Sequence, residues 1–391
     1  MAFVEFCRQI QKMNMRLIII FLTVCLFSCK KSSKNHIIEP RKESFKVQVL
    51  GFSATNTTGV GMATLWTDNE RPVTDFIPNN HHKITLYGLH QIISLGYRNL
   101  TYFGTELIND YSRIVLFTYE GKKVLSNELS IALAANRHEY LHSFSKDAEG
   151  NLYVYAYTET VTYKKVSYIY KISTMLEISK IDMPLEPSFA CLFTKAGLVS
   201  LHAEHVTNAI NLTVSHQRGT RWFANLSLNG YKQYVISDAY SDFEGKVLIM
   251  ITAVNSTTNK QEKFVFALNI DKNTVMRHKL LLDDRSYSFG KGMVEGNVLY
   301  LPGVERNTNK AFYLRIDTQT SLEEIPVSRI NLEVDARFPV AQASFLQRLN
   351  GEIFVGGTQF GKACYWRSSK LVMLPAINGI MQSHPIEINL Y

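Results

Sequence analysis

A turn glycine followed by an apolar run recurs five times between residues 150 and 355 of this sequence, and this repetition constrains the fold more than any other feature. Successive glycines are spaced by 47, 48, 51 and 55 residues, at Gly150, Gly197, Gly245, Gly296 and Gly351. After each comes a short apolar run, then a polar loop, a second strand-like run and a short turn. A period near 50 residues made of short strands is typical of β-propeller blades.

Extending the period toward the N-terminus adds weaker repeats around Arg98–Tyr102 and Val47–Leu50. No convincing amphipathic helix interrupts the pattern. The sequence therefore predicts an all-β protein with a β-propeller of seven four-stranded blades over residues 45–391, and six or eight blades would fit the same pattern.

The two ends of the repeat region share a motif, Gly61–Trp66 and Gly361–Trp366, which indicates that the first and last units descend from one module. A propeller closes by joining such ends. We expect the closing strand to come from Ile386–Leu390 or from the segment near Phe45, because radial closure leaves only short sheet edges.

The N-terminus has the order of a secretory signal. Arg8, Lys12 and Arg16 precede an apolar run, Leu17–Phe27, which is shorter than the roughly 20 residues of a membrane span. We therefore expect an exported protein with a signal peptide over residues 1–28, a tether over 29–44 and the propeller over 45–391. An uncleaved anchor is the alternative.

Residues Leu26-Phe27-Ser28-Cys29 resemble the lipobox of bacterial lipoproteins. The resemblance implies that Cys29 carries acyl chains of the palmitate type and anchors the protein to a membrane. The implied location is the cell envelope, as an outer-membrane lipoprotein on the periplasmic face or at the cell surface. Gly356-Gly357 before Gly361–Trp366 resembles the propeller lipoproteins of Bacteroidota, many of which have no assigned activity.

The charge of the chain argues against a nucleic-acid partner. The formal net charge is +8; removing residues 1–28, with three basic residues and one acidic residue (Glu5), leaves +6, and both signs are interspersed. Apart from Cys29, the mature chain holds only Cys191 and Cys364, which is too few for a disulfide scaffold. We expect two buried free thiols, with a single disulfide as the alternative.

His138-Glu139-Tyr140-Leu141-His142 has the letters of the H-E-x-x-H zinc motif. That motif needs a helix to bring both imidazoles to one metal. Here the residues lead into the apolar run after Gly150, so an innermost strand with His138, Tyr140 and His142 on one face is the favoured interpretation. Ala148 stands where one class of zinc peptidase has a third histidine.

Other candidate metal ligands are weaker. Strand alternation would send His202 and His205 to opposite faces. Asp238, Asp242 and Glu244 lack the alternate spacing of a calcium loop and fit a solvated turn. The sequence predicts no metal site, no cofactor and no catalytic residue, since nucleophile and phosphate-binding motifs are also missing.

Aromatic side chains make up 12% of the chain and offer flat apolar faces for a ligand. Because both faces of a blade pack on neighbouring blades, we expect Tyr153, Tyr155, Tyr157 and the tryptophans Trp66 and Trp366 to lie in the core. For Trp222, exposure and burial are left open.

Three functions remain compatible with this sequence. The main hypothesis is a non-enzymatic scaffold that presents loops at one ring end to a protein or glycan. The alternatives are a hydrolase or lyase acting on polysaccharide or peptide in the channel mouth, and a structural component of an envelope assembly.

Overall fold

The computed structural model describes the protein from residue 47 to residue 390. The ranges outside this description are 55–61, 68–71, 73–99, 109–110, 121–122, 129–137, 148, 160–164, 176, 182–188, 196, 218–220, 243 and 283–285. The predicted signal peptide and tether, with Cys29, lie outside the described residues. Within the described ranges, no helix is long and apolar enough to cross a bilayer.

The described secondary structure consists of strands. In chain order they are β1 (Val47–Ala54), β2 (Met62–Thr67), β3 (Leu100–Ile108), β4 (Tyr111–Glu120), β5 (Lys123–Glu128), β6 (His138–Lys146), β7 (Leu152–Glu159), β8 (Lys165–Ile172), β9 (Ile178–Ile181), β10 (Ala190–Thr194), β11 (Gly197–Val206), β12 (Ala209–His216), β13 (Arg221–Ser227), β14 (Tyr231–Ser241), β15 (Lys246–Asn255), β16 (Gln261–Asn269), β17 (Thr274–Leu281), β18 (Tyr287–Phe289), β19 (Met293–Glu295), β20 (Val298–Glu305), β21 (Lys310–Asp317), β22 (Glu324–Pro326), β23 (Ser328–Asn331), β24 (Ala341–Leu349), β25 (Glu352–Gln359), β26 (Lys362–Arg367), β27 (Lys370–Met373) and β28 (Gln382–Leu390).

These strands form seven sheets, and the fold is the predicted all-β propeller. In chain order the sheets are β28-β1-β2, which we call the closing sheet, then β3-β4-β5, β6 to β9, β10 to β13, β14 to β17, the sheet of β18 to β21 with β23, and β24 to β27. The first strands of consecutive sheets contact one another and line the central channel.

Four sheets depart from the predicted four strands. Within the described residues the closing sheet and β3-β4-β5 have three strands each, and two other sheets have five. The short strand β22 pairs in parallel with β17 of the preceding sheet, which makes that sheet five-stranded. In the next sheet the first strand is divided into β18 and β19, both paired with β20. At this break the Lys291 N–H donates to the Ser344 carbonyl of β24 at 2.8 Å, so two neighbouring first strands are joined through their backbones.

The closing sheet joins the two ends of the chain, as predicted. Strand β28 supplies its first strand and pairs antiparallel with β1, from Val47 opposite Leu390 to Ala54 opposite Gln382. Strand β2 follows β1 on the other side. The C-terminal segment is therefore the closing strand, and the segment after Phe45 provides the strand that receives it.

The core lies between consecutive sheets. One cluster joins β10 to β13 with the next sheet and includes Val199, Leu212, Ile249 and Phe264. Similar clusters fill the next two interfaces and the one against the closing sheet. Central strands are accordingly buried on both faces, and each fully buried large apolar side chain contributes about 1.5–3 kcal/mol.

Two ring ends follow from this topology. The glycine-turn end carries the turns between first and second strands, including Gly150, Gly245 and Gly351, all with positive φ. The hairpin end carries the turns between second and third strands and the loops that enter each first strand. Loops of the hairpin end position the candidate site.

Candidate functional site

The turns at the hairpin end share one backbone feature, a residue with positive φ. A residue with positive φ ends the turn between second and third strands, and in three sheets it is an asparagine: Asn208 (φ 61°), Asn259 (φ 57°) and Asn309 (φ 52°). Asparagine tolerates this left-handed region better than most residues. In the sheet of β24 to β27, the two-residue turn is Phe360-Gly361, and Phe360 has a φ of 50°.

Phe360 is both strained and exposed. A bulky side chain at positive φ is a backbone outlier, and such outliers cost about 1–3 kcal/mol. Burial does not compensate for that cost, since 64% of the Phe360 surface is open to solvent. A strained, exposed aromatic residue at the first position of a two-residue turn, where asparagine is preferred, points to a role other than folding.

A second exposed aromatic ring lies beside Phe360. The ring centroids of Phe360 and Phe338 are 5.2 Å apart, with planes inclined by 33°, and Phe338 is 42% exposed. The Phe360 N–H donates to the carbonyl of Val340, itself exposed, at 2.9 Å. We call Phe338, Val340, Phe360 and the adjacent Arg337 the aromatic corner.

The loop that carries Phe338 is held rigidly. Arg337 donates from Nε to Oδ1 of Asp335 at 3.0 Å and from Nη2 to Oδ2 at 2.6 Å. The Arg337 N–H also donates to Asp335 Oδ1 at 3.0 Å, and the Phe338 N–H to the Asp335 carbonyl at 2.8 Å. These donors lower the pKa of the Asp335 carboxyl to about 2. The Arg337 guanidinium lies 5.8 Å from the centre of the Phe338 ring.

The side chain of Gln359 is hydrogen-bonded to the same loop. Its side chain is almost fully buried, and Nε2 donates to the carbonyls of Asp335 at 3.2 Å and Phe338 at 2.7 Å. The hairpin and the loop are thus tied together immediately under the two rings. A ligand that contacts the aromatic corner meets a surface ordered in advance, which lowers the entropic cost of binding.

A separate pair of titratable residues lies on β14, a channel-lining strand. Asp238 follows a register shift between Ile236 and Asp238, and its Oδ1 accepts the Ala239 N–H at 2.8 Å. Burial raises the pKa of the Asp238 carboxyl, partly offset by that N–H, by Tyr240 and by the charge of Lys291. Burial and the Asp238 charge raise the pKa of Tyr240 well above its usual range. A half-buried carboxyl beside a phenol is a candidate proton donor.

The stretch with the zinc-motif letters, His138-Glu139-Tyr140-Leu141-His142, forms a strand and not a helix. These residues begin β6, the first strand of its sheet, as the sequence predicted. The single shared face expected for His138, Tyr140 and His142 assumed unbroken alternation, whereas the β6–β7 register shifts between Leu141 and Ser143. His202 and His205 lie on β11 at the predicted odd spacing. Among the described residues, no group of three or more His, Cys, Asp or Glu side chains is placed to hold a metal ion.

Of the three acidic residues predicted to lie in one turn, Asp242 and Glu244 lie there and Asp238 does not. Asp242 accepts the N–H groups of Glu244 and Lys246 at 2.9 Å each, which makes it the structural residue of its turn. Asp147 performs the same function at the equivalent turn by accepting the Asn151 N–H at 2.8 Å. Asp238, by contrast, lies within β14 and is not part of the turn.

The core predictions for aromatic residues and cysteines are confirmed where the structure describes them. Trp66, Trp366, Tyr153 and Tyr155 are buried, and Tyr157 is partly buried. Trp222 is partly buried against the core, and its neighbour Phe223 is the exposed ring of that strand. Cys191 and Cys364 are free and buried, and burial raises the pKa of both thiols.

Sequence reasoning missed the aromatic corner. The usable signal was the dipeptide Phe360-Gly361 between two strands, in a turn of the kind where Asn-Gly is preferred. The turn geometry and the neighbouring Phe338 ring become apparent only in the structure.

No protein-family model and no curated protein matches this sequence. Solved structures match the fold. An oligogalacturonate lyase in complex with manganese is 10% identical, with a TM-score of 0.50, over 84% of this chain and 86% of the lyase. A second polysaccharide lyase is 9% identical with a TM-score of 0.49, over 84% of this chain and 85% of that one.

Two peptidases match over less of their own length. A prolyl endopeptidase is 12% identical over 74% of this chain, with a TM-score of 0.41, and dipeptidyl peptidase 4 of Porphyromonas gingivalis is 9% identical with a TM-score of 0.40. The chain spans 42% and 48% of these two proteins, less than half of each. At such identities the likeness is one of fold alone.

Proposed function

We propose that this protein is an exported propeller, anchored to the outer membrane through acylated Cys29, that binds a glycan at the aromatic corner without transforming it. The observation that carries the proposal is Phe360, a strained and exposed ring at the first position of a two-residue turn that favours asparagine. A strained backbone conformation that adds nothing to folding stability is typical of ligand-binding positions.

The chemistry of the corner suits a sugar. Two inclined rings offer apolar faces that stack on the C–H faces of a pyranose, and rigid aromatic side chains lose little entropy on binding. Arg337 and nearby main-chain carbonyls add hydrogen-bonding partners at the edge of the rings. A protein ligand would use the same rings, and the experiment below separates the two.

The test is a glycan array with residues 30–391, which include the compact unit 46–391. Phe338→Ala and Phe360→Asn should each weaken the binding of any retained glycan about 10-fold or more, since that corresponds to about 1.4 kcal/mol. Phe223→Ala is the matched control, because Phe223 is 72% exposed on an outer strand of another sheet. Glycan binding that survives both corner variants, or no glycan binding at all, would overturn the proposal.

The second candidate function is a hydrolase or lyase acting on polysaccharide or peptide in the channel. It is favoured by Asp238 and Tyr240, a carboxyl of raised pKa next to a phenol on a channel-lining strand. The lyases and peptidases that share the fold make these the first substrate classes to assay. Turnover that Asp238→Asn abolishes while glycan binding persists would establish this function in place of the first.

A further inference from the structure

Lys263 is a half-buried cation near the hairpin end, between the sheet of β14 to β17 and the sheet of β18. It lies on β16, and its Nζ donates to the Thr252 hydroxyl at 3.0 Å. The same ammonium is 5.1 Å from the centre of the Phe289 ring. Burial and the nearby positive charge of Arg306 lower the pKa of Lys263, so its surroundings disfavour the charged form.

The carboxylates next to this cation pair are engaged elsewhere. Glu262 precedes Lys263 on the strand and therefore faces the other side. There it accepts the Tyr231 hydroxyl at 2.7 Å and lies 3.0 Å from the Lys279 ammonium.

Glu305 precedes Arg306 and is likewise occupied. It is buried and accepts a hydrogen bond from Arg329 at 2.9 Å. Neither Lys263 nor Arg306 forms an ion pair with any carboxylate in the described part of the chain. In the described part of the chain these two neighbouring cations, one of them half buried, therefore have no carboxylate counter-ion, which is costly unless an anion completes the group. Asp283 and Asp284 lie outside the described residues.

Two hydroxyl groups link the cation pair to the channel-lining strand β14. The Thr252 and Ser237 hydroxyl oxygens are 3.2 Å apart. Ser237 is exposed on β14, the first strand of its sheet, at the register shift where β14 departs from regular pairing. Ammonium, guanidinium and two hydroxyls together match the hydrogen-bond acceptors of a carboxylate or sulfate group.

We propose that Lys263 and Arg306, with the hydroxyls of Thr252 and Ser237, form a subsite for a carboxylate or sulfate group of an acidic saccharide. This inference rests on the proposed glycan-binding function and narrows its ligand to anionic chains. Lys263 supplies a point charge with a fixed Thr252 contact, and Arg306 supplies a planar donor from the neighbouring sheet. Binding an anion would favour the charged form of Lys263 and join two sheets of the propeller.

The test is titration calorimetry of residues 30–391 with three probes of equal length: an oligogalacturonate, a sulfated oligosaccharide and a neutral oligoglucoside. Lys263→Met and Arg306→Met should each weaken the acidic probes about 10-fold or more and leave the neutral probe unchanged. The two acidic probes distinguish a carboxylate from a sulfate ligand. Lys272→Met is the matched control, since Lys272 is an exposed lysine in the turn between β16 and β17 at the opposite ring end, and it should change affinity less than 2-fold.

A thermal-shift arm separates this inference from the function on which it rests. Inorganic sulfate at constant ionic strength should raise the melting temperature of the wild type more than that of Lys263→Met. If that difference appears while no saccharide binds, the anion subsite stands and the glycan ligand is overturned. If saccharides bind with equal affinity to wild type, Lys263→Met and Arg306→Met, the subsite is overturned and the aromatic corner is untouched. Lys263→Met should fold, because exchanging an unpaired buried cation for an apolar chain of similar length does not destabilise a core.

Discussion

The indole Nε1 of Trp66 donates a hydrogen bond to the carbonyl of Pro375, 309 residues later in the chain, at 3.1 Å. Trp366, at the equivalent place on the third strand of its own sheet, donates in the same way to the Glu333 carbonyl at 2.6 Å. Each tryptophan is buried, and each ties the third strand of its sheet to the loop that precedes the first strand of the same sheet. The contact of Trp66 is therefore one of the links between the two ends of the chain.

Replacing Trp66 by Phe should destabilise the propeller by about 2–3 kcal/mol. The substitution removes the indole donor, leaves the Pro375 carbonyl without it and opens a small cavity. Urea unfolding followed by circular dichroism measures the change. Trp366→Phe is the matched comparison and should cost a similar amount; an unchanged midpoint for Trp66→Phe would show that the hydrogen bond contributes nothing to closure.

Phe360→Asn should stabilise the fold by about 1 kcal/mol, because asparagine adopts positive φ with less strain than phenylalanine. The reverse exchange, Asn309→Phe, should destabilise by a similar amount at the sister hairpin. Chemical denaturation of both variants tests the pair. A loss of stability in Phe360→Asn would mean that the exposed ring contributes to packing, which would remove the argument for a binding role.

Gly357→Ala should destabilise by about 1–3 kcal/mol through overpacking. A Cβ at this position would lie 1.9 Å from the Gln342 carbonyl oxygen and 2.9 Å from the Trp366 ring. Gly351→Asn is the control: its φ of 78° suits asparagine, and no atom lies within 4 Å of the added Cβ. A tolerated Gly357→Ala would contradict the close approach of β24 and β25.

Asp238→Asn should raise thermal stability at pH 7 and have little effect below about pH 4. The folded-state pKa of Asp238 is raised, so wild-type stability is fully present below the ordinary pKa of the carboxyl and declines as the pH rises through the folded value. The Asp238→Asn variant has no carboxyl to ionise, so it does not lose this stability at neutral pH. Melting temperatures of both proteins between pH 3.5 and 8 provide the measurement, and parallel curves would show that Asp238 is ordinarily ionised.

Thiol alkylation should detect no reactive cysteine in the folded, acylated protein and two after unfolding. Burial raises the pKa of both Cys191 and Cys364 and withholds the thiolate that reacts. The proposed thioether of Cys29 leaves no third thiol. Mass spectrometry of iodoacetamide-treated protein counts the adducts, and a third adduct on Cys29 would contradict acylation.

The repeat pattern could predict the strands because a blade is a local unit. The glycines fix the turns, and the apolar runs after them form second strands buried on both faces, as with Val247–Ile251 after Gly245. Closure could be predicted as well, since the shared Gly61–Trp66 and Gly361–Trp366 motifs mark equivalent third strands.

The sites could not be predicted because they depend on contacts between repeats. Phe360 is recognisable only when the positive φ of its turn and the position of its ring beside Phe338 are known. Asp238 owes its burial to a register shift in β14 and to the neighbouring sheet. Likewise, no residue pattern announces the register shift between Leu141 and Ser143 in β6.

The closing sheet also determines when the ring can be completed. Because β28 (Gln382–Leu390) is the first strand for β1 and β2, a nascent chain holds an incomplete propeller until β28 has been synthesised. Deleting residues 382–390 would leave β1 as an open edge, ready to pair with another molecule. Strand β1 therefore stays unpaired on one side while the intervening sheets are synthesised, and that is when it is most exposed to association with other chains.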